Sequence, residues 1–89
     1  MKIKDIRYAE TNETRTDGKY PSRIGCTVEF LIEPMVDDVM FLSYILDNQG
    51  NPKSGYLQSS RVEDIAETNT EIIITTRNSI YYLEKEDKE

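Results

Sequence analysis

The sequence predicts an all-β chain: a small five- to six-stranded SH3-like barrel with a long polar loop after its first strand. Three observations predict it. Apolar and polar side chains alternate over residues 26–33, the period of a half-buried strand. Residues 39–46 are apolar on both faces but too short a run for a buried helix, and their β-branched and aromatic content suits a central strand. Two more apolar runs, 71–76 and 80–83, flank Arg77-Asn78-Ser79. Five or six short strands in 89 residues leave edges that closure into a barrel protects.

Taken in order, residues 1–8 carry apolar points at Ile3, Ile6 and Tyr8. These fit neither period cleanly, and a first strand with a bulge accommodates them. Residues 9–19 are polar without an apolar anchor and predict a mobile loop. Residues 20–25 predict a turn that re-enters the core through Ile24. In the next strand Cys26, Val28, Phe30 and Ile32 share the inward face, with Thr27, Glu29 and Glu33 opposite. Pro34 ends it, because proline cannot donate to a ladder.

Residues 47–55 hold the strongest turn composition of the chain and lead into a fourth strand over 55–60. Ser60 and Glu63 have capping-box spacing, so residues 61–66 could form one helical turn. The alternative, which we favour, is a strand over 64–67 pairing with 71–76 across residues 68–70, after a short turn at 59–62. Asn tolerates left-handed backbone angles, so residues 77–79 predict a tight β-hairpin. The charged tail, 84–89, is expected to fray. One domain spans residues 1–83.

Composition narrows the function classes. The chain has no His and one Cys, which excludes Ser-His-Asp and Cys-His nucleophile pairs, a histidine proton shuttle and the usual zinc sites. Eleven Lys and Arg against 17 Asp and Glu give a net charge of −6, which works against direct binding to nucleic acid or an anionic membrane. The five arginines, Arg7, Arg15, Arg23, Arg61 and Arg77, are scattered. No apolar run approaches the ~18 residues of a membrane span, and the first five residues lack the apolar stretch of a signal peptide. The expectation is a reduced, cytoplasmic protein.

Each chemistry-bearing constellation has a plain counterpart. A carboxylate dyad needs a concave, partly desolvated site, and Asp37-Asp38 and Glu63-Asp64 read first as solvated acids. Asp47-Asn48-Gln49-Gly50-Asn51 lacks the alternating acids and terminal Glu of an EF-hand. Cys26 reads as a buried structural thiol. Ser59-Ser60 has no base at a fixed spacing, and Gly50 and Gly55 match no phosphate-binding signature. Tyr81 and Tyr82 must point to opposite faces of one strand; Tyr44 and Tyr56, flanking the Gly50 turn, could meet across it. No catalytic residue, metal or cofactor is expected. What remains is electrostatic: Asp37, Asp38, Glu63, Asp64 and Glu67, joined by Glu71 and the tail, could form a negative patch that faces a basic protein surface.

Leu57-Gln58-Ser59-Ser60-Arg61-Val62, followed by the strand over 72–76 and then Thr76-Arg77-Asn78-Ser79-Ile80-Tyr81-Tyr82-Leu83, resembles short SH3-like proteins carried by phages and mobile elements of Gram-positive bacteria. Tyr20-Pro21-Ser22-Arg23-Ile24-Gly25 is similar to theirs too. The resemblance lies in strand and turn positions and brings no catalytic residue. It implies a setting in which small acidic proteins bind and inhibit host factors, anti-CRISPR proteins among them. The expectation is therefore a non-enzymatic inhibitor of a host nucleic-acid-handling defence protein, acting in the host bacterial cytoplasm through the acids named above. Two alternatives stand beside it. A virion structural or assembly subunit predicts homo-oligomers through unpaired strand edges. A small-ligand sponge, for a nucleotide, predicts Tyr and Arg residues stacking and pairing at a subunit junction.

Overall fold

The alternating runs become six strands: β1 (Lys2–Tyr8), β2 (Thr27–Phe30), β3 (Val39–Leu46), β4 (Tyr56–Glu67), β5 (Glu71–Thr76) and β6 (Ser79–Glu84). A single-turn helix, α1 (Tyr20–Arg23), sits between β1 and β2. The computed structural model describes residues 1–86. Each strand pairs antiparallel with the next, and β6 returns to pair with β1, closing the sheet into a small SH3-like barrel. Among the described residues no helix is long and apolar enough to cross a membrane.

Side chains that alternate inward fill the barrel. Ile3 and Ile6 come from β1, Val28 from β2, Met40 and Leu42 from β3, Leu57 and Val62 from β4, Ile74 from β5, and Tyr81 and Leu83 from β6. Burying a side chain of this size contributes about 1.5–3 kcal/mol. Ile3 and Ile6 are three residues apart, a spacing no regular strand puts on one face. The β1–β6 register shifts between Ile3 and Asp5, and that bulge turns both isoleucines inward.

Three expectations need correction. β2 ends at Phe30, and Ile32 is 56% exposed instead of inward. After Leu31 donates its amide to the Phe41 carbonyl at 3.1 Å the chain bends out of the ladder, ahead of Pro34. Residues 59–62 form neither a turn nor the start of a helix, because β4 is one continuous strand. Its first half pairs with β3 and its second half, from Val62, with β5. The Ser60 hydroxyl, free in principle to cap a helix, donates instead to Thr76 Oγ1 at 2.9 Å.

The β5–β6 hairpin is present, but Asn78 does not supply a left-handed residue. Among the described residues, the only non-glycine positions with positive φ are Asn12 and Asp37. Thr76 closes this turn: its hydroxyl accepts the Ser79 amide at 3.0 Å and donates to the Ser79 carbonyl at 2.9 Å.

The polar segment after β1 is tied down by hydrogen bonds in place of apolar contacts. Tyr8 donates its amide to the Glu13 carbonyl at 2.8 Å, and Arg15 donates to the Ile6 carbonyl at 2.8 Å, so the segment doubles back along β1. Pro21 occupies the first turn of α1, where its missing amide costs nothing. Ile24 then packs against the core, as the sequence predicts. Gly25 follows at φ +95, and a Cβ there would stand 3.0 Å from Asn48 Cβ. The start of the charged tail is held as well: Lys85 donates its amide to the Thr70 carbonyl at 2.8 Å. The rest of the expected fraying, 87–89, lies outside the described residues.

Candidate partner-binding rim

The loop between β2 and β3 carries two apolar pairs around Glu33-Pro34. Leu31, Ile32, Met35 and Val36 are all about half exposed or more, from 48% at Val36 to 64% at Met35. Among the described residues this apolar knuckle has no counterpart elsewhere on the loops, and it was not legible as a surface, since Ile32 continued the alternation of β2. The available signal was two apolar pairs on either side of a residue that cannot extend a strand.

Past the knuckle, Asp37 adopts φ +77 and reverses the chain. Its amide donates to the Val62 carbonyl at 2.8 Å, and the Val62 amide donates to the Asp38 carbonyl at 2.8 Å. Those reciprocal bonds seat Asp37 and Asp38 against the middle of β4, next to Glu63. The register shift between Val62 and Asp64 leaves both Glu63 and Asp64 exposed, which a regular strand would not allow. Two acidic pairs, 25 residues apart in sequence, thus share one rim. Arg61, exposed and paired in register with Val39, is the cation beside them. Among the described residues, none of Asp37, Asp38, Glu63 and Asp64 engages a salt bridge.

Glu67 stands apart. It lies three residues beyond Asp64, roughly 10 Å along the strand at ~3.3 Å per residue. Its carboxylate pairs with Lys85 Nζ at 2.6 Å, and the same ammonium donates to the Thr68 carbonyl at 2.7 Å. Glu71 is likewise engaged, by Lys4 at 2.6 Å.

Three of the arginines gather around tyrosines. The Arg15 guanidinium lies 3.9 Å from the Tyr20 ring centre and 4.9 Å from that of Tyr8. It donates to both carboxylate oxygens of Asp17, at 3.0 and 2.6 Å, and to Ser79 Oγ at 2.7 Å. The paired guanidinium holds the Asp17 carboxyl down at about 2. Arg23 lies 5.0 Å from the Tyr20 ring, and Arg7 lies 4.7 Å from the Tyr82 ring. Arg7 also donates to Asp5. Burial raises the Asp5 pKa, but hydrogen bonds from Arg7, Thr14 and the Ile6 amide outweigh it and leave the carboxyl low. This cluster fastens the long loop to the barrel. Its adjacent groove, about 570 Å³, is lined by Arg15 and Arg77 but also by Glu10 and Glu13.

Tyr81 enters the core, where burial pushes its hydroxyl pKa up, while Tyr82 stays partly accessible on the opposite face. Tyr56 meets Phe41, ring centres 5.9 Å apart, while Lys53 covers the Tyr44 ring at 4.8 Å, so the expected Tyr44–Tyr56 contact is replaced by two others. Cys26 is fully buried, its thiol donating to the Ser22 carbonyl at 3.5 Å, and burial raises its pKa away from the reactive thiolate. Ser59 is buried, and its hydroxyl accepts the Met40 amide at 2.9 Å. Among the described residues no three His, Cys, Asp or Glu side chains are grouped to hold a metal ion. No protein-family model, curated protein or solved structure matches this chain.

Proposed function

We propose that the protein is a non-enzymatic binding module of a phage or mobile element. It docks its knuckle and acidic rim on a basic surface of a host nucleic-acid-handling protein and, in the manner of an anti-CRISPR protein, obstructs it in the host cytoplasm. The observation that carries this reading is the Asp37–Val62–Asp38 pair of backbone bonds, which puts two acidic pairs beside four exposed apolar side chains.

The two halves of that surface have different work. Exposed carboxylates in water contribute little as single pairs, but four of them together steer a basic partner and fix its orientation. Affinity comes from the knuckle, whose side chains are exposed and lose that exposure on docking. Nucleic-acid channels are lined by Lys and Arg, so a rim of this sign competes with phosphate for the same groups.

An affinity pull-down from Gram-positive host lysate at low and high salt tests the proposal. It is run beside two variants, Asp37→Lys/Asp38→Lys/Glu63→Lys/Asp64→Lys and Leu31→Ser/Met35→Ser. The expected result is a nucleic-acid-handling protein retained at low salt, released at high salt and lost with either variant. Retention that ignores both salt and charge reversal overturns it. The knuckle also suits a second copy of the chain, and sedimentation of the purified protein separates that outcome: a knuckle-dependent oligomer places the protein in the assembly class.

A further inference from the structure

Five of the six tyrosines are already engaged within the chain. Arg15 lies over Tyr8 and Tyr20, Arg7 over Tyr82 and Lys53 over Tyr44, while Tyr81 is buried in the core. Tyr56 is the exception. It is the most exposed of the six, at 61%, and among the described residues no cation of this chain lies over its ring. It meets Phe41 instead, ring centres 5.9 Å apart and planes tilted by 54°.

The sheet register builds a site around this ring. Ser43 in β3 pairs with Glu29 in β2 on one side and with Tyr56 in β4 on the other. All three turn away from the core, because their chain neighbours Val28, Leu42 and Leu57 are buried in it. Phe41 and Ile45, two residues before and after Ser43, share that outer face. A small residue is thus ringed by a carboxylate, two aromatic rings and an aliphatic side chain. Glu29 and Tyr56 stand two strand spacings apart, roughly 9–10 Å, which leaves room above Ser43 for one flat group. Among the described residues Glu29 is exposed and engages no salt bridge. Lys53, in the turn before β4, is held over Tyr44, and Arg61 is in register with Val39, two residues from Phe41. Leu31 donates its amide to the Phe41 carbonyl, so the site adjoins the knuckle.

We infer that an arginine side chain of the partner docks here, its guanidinium flat against the Tyr56–Phe41 pair and its N–H groups donating to the Glu29 carboxylate. A ring face attracts a cation through its quadrupole. A planar guanidinium can stack on a ring and fork onto a carboxylate at once, which an ammonium cannot. The chain uses this arrangement on itself twice. Arg15 rests on Tyr20 while donating to both carboxylate oxygens of Asp17, and Arg7 rests on Tyr82 while donating to Asp5. Tyr56 and Glu29 repeat the ring and the carboxylate without the arginine. The inference rests on the reading that the partner is basic, and it adds which side chain of the partner is gripped and by what.

The test uses the full chain, labelled for amide NMR, and a short synthetic peptide in which Arg alternates with Gly. Counterpart peptides carry Lys or uncharged citrulline in place of Arg. The inference expects shift changes at Glu29, Ser43 and Tyr56 on titration with the Arg peptide, weaker binding of the Lys peptide and no response there to citrulline. Tyr56→Leu is expected to weaken the Arg peptide about three- to fivefold, and Tyr56→Phe, which keeps the ring, to bind it as the wild type does. Glu29→Gln is expected to weaken it about tenfold. If the Arg peptide perturbs only Asp37, Asp38, Glu63 and Asp64 and binds Tyr56→Leu as tightly as wild type, the ring site is overturned while the basic-partner reading stands. If the ring site responds but capture from lysate ignores salt and charge reversal of those four acids, the site stands and that reading falls. Equal binding of the Lys peptide overturns the assignment to arginine, and no response to the Arg peptide overturns the site.

Discussion

The amide of Asp37 donates to the carbonyl of Val62 at 2.8 Å, tying the β2–β3 loop to the residue at which β4 changes partners from β3 to β5. Val62 is fully buried. The loop is therefore anchored to the core at a point where the ladder is irregular, and the exposed acids on either side of Val62 take their positions from that anchor. A rigidly seated loop presents its apolar residues in one arrangement, which reduces the ordering cost of docking.

Asp37 holds φ +77, a left-handed angle that costs an ordinary L-residue roughly 1–2 kcal/mol and glycine little. Asp37→Gly is expected to leave the urea midpoint unchanged or slightly raised. Asp37→Val is expected to lower stability by about 1–2 kcal/mol. Equal midpoints for all three chains would contradict the loop geometry.

The Arg15–Asp17 pair predicts acid sensitivity of definite sign. Asp17 has an ordinary pKa of 3.8 and is held at about 2 in the fold, principally by the hydrogen bonds from Arg15. A depressed carboxyl pKa favours the folded state when the carboxylate is ionised. Its contribution is thus complete above pH 3.8 and drains away as pH falls toward about 2. Asp17→Asn removes that part of the pH dependence, which urea unfolding measured across the acid range reads directly. Arg15→Lys keeps the charge but not the planar fork over Tyr20 and is expected to loosen the loop, seen as faster amide exchange at residues 13–15.

Thr76 is fully buried and its hydroxyl serves both Ser60 and Ser79. Thr76→Val preserves shape and strands the Ser79 amide without its acceptor, at an expected cost of about 1–3 kcal/mol. Thr76→Ser keeps the hydroxyl, so thermal melts should place it nearer the wild type.

Position in the sequence pattern does not predict the cost of truncation here. Leu42→Ala opens a cavity in the barrel and should cost about 2–5 kcal/mol. Ile32→Ala should stay within about 0.5 kcal/mol, because Ile32 projects into solvent. If the knuckle docks as proposed, the same substitution should weaken partner capture.

The strand content was legible because side-chain period and turn composition are local properties. Even the β1 bulge showed as the misfit of Ile3, Ile6 and Tyr8. Two kinds of feature were not legible. A hydroxyl's partner depends on what the fold brings near, so Ser60 read as a cap while it serves Thr76 across the sheet. Strand termination likewise depends on where the neighbouring strand runs: Ile32 satisfied the alternation of β2 but lies beyond the last ladder bond. The acids divide in the same way. Composition made them candidates, but the bonds at Val62 join Asp37 and Asp38 to Glu63 and Asp64, and Lys85 draws Glu67 away.

The most direct test of the central claim is the affinity for the nucleic-acid-handling protein captured from lysate, measured by titration calorimetry between about 50 and 200 mM salt. Wild-type protein and the Asp37→Lys/Asp38→Lys/Glu63→Lys/Asp64→Lys variant are compared. A rim that docks by charge predicts an affinity that falls steeply with salt in the wild type and is both weaker and nearly flat in the variant. Affinity independent of salt, or equal in the two chains, would contradict it.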